Sequence, residues 1–110
     1  MDGTTLYDQR QQAINSLKNS MEKFYQNGVA YAEANRIYRQ TMRQKVLALK
    51  AEGYAVTLIE RLAKGDADVA EAEFNKNVAE TLYKASAENI NIQKLILRSL
   101  EEEIAREWRA

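Results

Sequence analysis

The chain has 110 residues, 45% hydrophobic and 29% charged, with sixteen basic and sixteen acidic side chains, so its formal net charge is zero. It has four Gly and no Pro, Cys or His. Lack of Cys excludes disulfides and thiolate chemistry, and lack of His removes the commonest general base and metal ligand, so most enzyme templates fail. No apolar run reaches the roughly 18 residues of a membrane span, and Met1 to Arg10 lacks the basic and apolar blocks of a signal peptide, which predicts a cytoplasmic setting.

From Ile14 onward, apolar or bulky residues recur at heptad spacing: Ile14, Leu17, Met21, Phe24, Gly28, Tyr31, Asn35, Tyr38, Met42 and Leu49. Such a seam predicts one long amphipathic helix over about residues 5–51. Asn27-Gly28 is its weak point, because Gly there costs about 1 kcal/mol and an Asn-Gly pair often ends a helix. The matching heptad phase on either side favours continuity, and a break at Gly28 is the alternative.

Gly53 follows a cation in the last turn and predicts the stop of this first helix. An elbow over residues 53–65 comes next. Thr57 stands three residues before Glu60, a capping-box spacing, so a short helix is expected at 58–64 with Gly65 closing it. Asp66 and Asp68 supply oxygens and negative charge suited to a helix N-terminus, which predicts a third helix over about 67–108. Its apolar stripe reads Phe74, Val78, Leu82, Ala85, Ile92, Ile96, Leu100 and Ile104, with spacings of four predominating.

The predicted fold is therefore all-α: a long antiparallel two-helix hairpin with a short helical elbow, coiled-coil-like, a single domain over residues 1–110. Two such helices alone enclose little interior, so assembly into a helical bundle is expected. Closed two-fold dimers are the favoured form, with tetramers or a bundle with another protein left open.

Arg36, Arg39, Arg43 and Lys50 share a flank of the first helix. With Tyr31 and Tyr38 they could contact single-stranded nucleic acid, or they could pair with the acidic third helix. Simple hairpin geometry makes residues whose numbers sum to about 117 face each other. Arg36 then meets Glu80, Arg43 meets Glu73, Lys50 meets Asp66 or Asp68, and Gly28 faces Asn89. Residues 1–53 hold eight basic and five acidic side chains against eight and eleven in 54–110, which favours pairing over nucleic acid. Asn35 and Asn89 at seam positions read as register-setting polar residues, and Trp108 as a terminal anchor or a partner hot spot. Glu101, Glu102 and Glu103 point different ways on a helix, and no catalytic, cofactor or metal motif is present.

Tyr38-Arg39-Gln40 through Lys45, Ala51-Glu52-Gly53, Val56-Thr57-Leu58-Ile59, Ala63-Lys64-Gly65-Asp66 and Val78-Ala79-Glu80 carry a resemblance. Over roughly residues 31–108 the chain resembles small uncharacterised helical proteins of bacteriophages and prophages of Gram-positive bacteria. That resemblance implies a bacterial host cell and a role near recombination and single-strand annealing functions, and it supplies no site residues. The expected function is a non-enzymatic interaction or scaffold protein with a protein partner in DNA replication or recombination. Direct single-stranded nucleic-acid binding is the alternative.

Overall fold

The computed structural model describes residues 5–109. Among them are three helices, α1 (Leu6–Ala51), α2 (Val56–Lys64) and α3 (Ala67–Arg109). The fold is an all-α antiparallel hairpin in which α1 packs against α3 and α2 is the elbow. Asn27–Leu82 makes one compact unit, the elbow unit, and the described residues before and after it make the other, the terminal unit.

Each helix end has an identifiable cause. At the start of α1, Thr5 Oγ1 accepts the backbone N–H of Asp8 at 3.1 Å, and the Asp8 carboxylate accepts that of Thr5 at 3.4 Å. This is a reciprocal cap that satisfies two orphan donors. The helix then runs unbroken through Asn27 and Gly28. Its stop is a Schellman turn: Gly53 N–H donates to Lys50 O at 3.1 Å, and Tyr54 N–H to Leu49 O at 3.2 Å. Gly53 takes φ +89°, a conformation that costs an L side chain about 1–2 kcal/mol. At α3, Asp66 Oδ2 accepts the backbone N–H groups of Asp68 (3.1 Å) and Val69 (3.2 Å).

The expected Thr57 cap does not form. The N-cap of α2 is Ala55, extended at φ −64°, ψ 139° and without a side-chain cap bond, so Thr57 lies inside the helix. Glu60 instead pairs with Lys64 at 3.2 Å. The helix starts two residues early because the Schellman turn delivers the chain at once to α2, whose Ile59 and Ala63 must reach Leu49. These three residues are the buried cluster of the elbow unit, with Met42 and Val46 packed against it. Burial of side chains the size of Leu49 and Ile59 contributes about 1.5–3 kcal/mol each. Val69, with no exposed surface, and Ala72 continue the buried side of α3.

The register differs from simple hairpin geometry. Lys45 Nζ meets Asp66 Oδ1 at 3.3 Å, where a sum of about 117 places residue 72. In the terminal unit Asn89 Nδ2 donates to Ser20 Oγ at 2.9 Å, where the same rule places residue 97. The geometry assumed a symmetric elbow. In the elbow unit the end of α1 instead overhangs the start of α3, and α2 lies on the overhang, which shifts the partner by about six residues or ~9 Å.

Candidate interaction surfaces

The inner seam is a regular heptad on both helices, but not the one marked by the largest apolar residues. On α1 the buried and half-buried positions run Ala13, Leu17, Ser20, Phe24, Asn27, Tyr31, Ala34, Tyr38, Thr41 and Lys45. On α3 they run Val69, Ala72, Lys76, Ala79, Tyr83, Ser86, Ile90, Gln93, Leu97, Leu100 and Ile104. Of the expected seam residues, Leu49 is buried, and Ile14, Leu17, Phe24, Asn35 and Met42 are half-buried. Met21 on α1, and Phe74, Val78, Leu82, Ile92 and Ile96 on α3, expected in the seam, are exposed and lie outside its buried and half-buried positions. The physical reason is size. Small and polar residues at alternate seam positions let the helices lie close, which turns the bulkier stripe outward.

In the terminal unit the seam is held by specific pairs. The rings of Phe24 and Tyr83 stack with centroids 4.9 Å apart. Ser20 is buried; its hydroxyl donates to Ser16 O at 2.9 Å while accepting from Asn89. Asn89 is thus a cross-hairpin partner of Ser20 and not of Gly28. Arg10 Nε lies 3.5 Å from Glu101, and Trp108 Nε1 donates to Tyr7 Oη at 2.6 Å. Trp108 remains 78% exposed, so it anchors the helix end through a polar bond and leaves its ring uncovered.

The basic stripe stands in the elbow unit. Arg36 is taken up by Glu33 one turn earlier, with Gln40 beside it, and not by α3 as the register estimate had it. The hydrogen bond holds the Glu33 carboxyl below its ordinary range and raises Arg36. Arg39 and Arg43 are exposed, and the ion pairs among the described residues involve neither. Glu73, expected opposite Arg43, instead accepts the Tyr38 hydroxyl; burial first, then this bond, pushes that phenol above its ordinary value. Asp66, expected opposite Lys50, is held below its ordinary value by the Val69 backbone N–H and by Lys45. Tyr31 and Tyr38, considered as stacking rings beside the cations, lie in the inner seam, and Lys76 Nζ sits 4.6 Å over the Tyr38 ring. The arginines and the tyrosines therefore do not share one surface.

Among the described residues no group of three Asp or Glu side chains stands together as a metal-holding cluster, and no helix is long and apolar enough to cross a membrane. What the surface offers is apolar area. Among the described residues six hydrophobic ones are buried, whereas seventeen large ones are exposed. No family model matches the chain, and neither a curated protein nor a solved structure matches it.

Proposed function

We propose that this chain is a non-enzymatic interaction protein, a helical hairpin that self-associates into a bundle and acts by contact with a protein partner. The observation that carries this is the uncovered apolar surface. Among the described residues seventeen large hydrophobic side chains are exposed and six hydrophobic residues are buried, and exposed apolar side chains in that number mark a surface that contact with another protein would cover. The setting, DNA replication or recombination in the cytoplasm of a phage-infected or prophage-bearing bacterium, rests on the sequence resemblance alone. Light scattering on purified protein tests the assembly: a mass of two or more chains at micromolar concentration is expected, and a monomer overturns it. Affinity purification of the tagged chain from infected cells, with and without nuclease, tests the setting, and capture of replication or recombination proteins that survives nuclease is expected.

A second reading has one observation in its favour, the exposed and ion-pair-free Arg39 and Arg43. With Arg36 they would contact phosphates of a single strand without ring stacking. Three such contacts give a slope of about −2 in log affinity against log salt. Changing all three Arg to Ala abolishes an oligonucleotide shift at low salt if this reading holds, and a shift unaffected by that change removes it.

A further inference from the structure

We infer that the stripe of α1 from Val29 to Lys50, through Arg39 and Arg43, is the contact for an acidic helix of another protein. This names the chemistry of the protein partner proposed above and rests on that reading, independently of self-association. Three features of the elbow unit carry it.

The first is charge. Residues 34–51 hold five basic side chains and no acidic one, in a chain whose charges balance overall. Lys45 pairs with Asp66, and Arg36 with Glu33. Arg39, Arg43 and Lys50 are exposed, and the ion pairs among the described residues involve none of them. Arg43 stands about 160° round the helix from Lys45, on the side turned from the acidic start of α3. The surface that complements this side is therefore anionic.

The second is where the cations stand. Arg36, Arg43 and Lys50 follow one another at seven residues, steps of about 10.5 Å along α1. A facing helix with acidic residues at the same repeat meets a cation at every step. An extended chain covers that distance in about three residues, which turns alternate side chains to its other face. The matching partner is therefore helical.

The third is the aliphatic pair that brackets the arginines. Val29 and Leu47 are each 53% exposed, and both fall on the stripe. A single strand of nucleic acid takes stacking rings beside its cations, whereas Tyr31 and Tyr38 of α1 lie in the inner seam. A helix that carries aliphatic side chains among its carboxylates meets both parts of the stripe. The distance from Val29 to Leu47, about 27 Å, sets its length at about 20 residues.

The test uses a synthetic peptide of about 21 residues, three heptads of Ala with two Glu and one Leu on one face of each. Fluorescence anisotropy at about 50 mM salt is expected to show binding, and the same peptide with Lys in place of Glu is expected not to bind. Arg39→Glu combined with Arg43→Glu is expected to weaken binding by roughly tenfold, and Leu47→Ala by about fivefold, with helicity by circular dichroism unchanged. If the reversed variant fails to fold, Arg39→Gln combined with Arg43→Gln decides in its place. A Glu peptide that does not bind, or that binds the reversed variant as tightly as wild type, overturns the proposal. Binding of oligothymidylate in place of the Glu peptide overturns it in favour of phosphate contact. Capture of the same proteins from infected cells by wild type and the reversed variant overturns this stripe and leaves the protein-partner reading standing. Capture of none by either overturns both.

Discussion

Substituting Gly53 and Gly65 separately by Ala isolates the backbone of the elbow, because neither change removes a side-chain contact. Gly53 has φ +89° and nothing within 4 Å of an added Cβ, so the cost is purely conformational. Holding Ala in the left-handed region costs about 1–2 kcal/mol, against which lower unfolded-state entropy returns about 0.4–1 kcal/mol. Gly65 sits at φ −82°, and an added Cβ meets only ordinary contacts, 3.6 Å to Arg61 O and 3.7 Å to Leu62 O. Gly65→Ala is therefore expected to be neutral or to stabilise by about 0.4–1 kcal/mol. The two variants should differ by about 1–2 kcal/mol, or roughly 4–8 °C in midpoint at this chain length. Thermal unfolding followed by circular dichroism at one fixed protein concentration measures the difference; the proposed self-association makes that control necessary. Gly53→Ala melting at or above Gly65→Ala refutes the account of the Schellman turn.

Two further outcomes follow from the elbow. Ile59→Ala, at a residue 4% exposed, is expected to cost about 2–4 kcal/mol in urea unfolding, whereas Leu58→Ala, at a residue 45% exposed, costs much less; equal losses would contradict the assignment of the buried cluster. The lowered Asp66 carboxyl gives stability that is present above its ordinary value of 3.8 and lost as pH falls through its folded value. Asp66→Asn should therefore unfold at lower urea than wild type at neutral pH and approach wild type as the pH falls below the lowered folded value of Asp66. A gap that is the same at both pH values refutes the role of the ionised cap.

Much of the secondary structure was legible because it depends on local chemistry. Gly53 and Asp66 mark backbone needs that few other residues meet, and α1 and α3 end within a residue or two of the expected bounds. The seam was less legible. Hydrophobicity marks what must leave water, not what covers it, and the apolar run Phe74–Val78–Leu82 on α3 is exposed. The covering contacts are made through Ala13, Ser20, Ala34, Ala72 and Ala79, residues that carry little pattern of their own. The register was missed for a related reason. Chain numbering assumes that an elbow spends its residues evenly on both sides, whereas Ile59 and Ala63 bind α2 to the α1 end. The arginine stripe was visible as a stripe, but its pairing follows Glu33, a nearer neighbour than any residue of α3.

The cross-hairpin contacts also set an order of assembly. Lys45 and Asp66 are joined by the elbow alone, Ser20 and Asn89 are 69 residues apart, and Tyr7 and Trp108 are 101 residues apart. Closing the longest of these loops first, before any other contact exists, costs about 1–1.5 kcal/mol more than closing the shortest. Pairing therefore starts at Leu49, Ile59 and Ala63 and advances toward the chain ends, each contact shortening the loop left for the next. The Trp108–Tyr7 bond is the last to form and the first to open, so hydrogen exchange runs fastest at the ends of α1 and α3 farthest in sequence from Gly53 and slows toward the elbow.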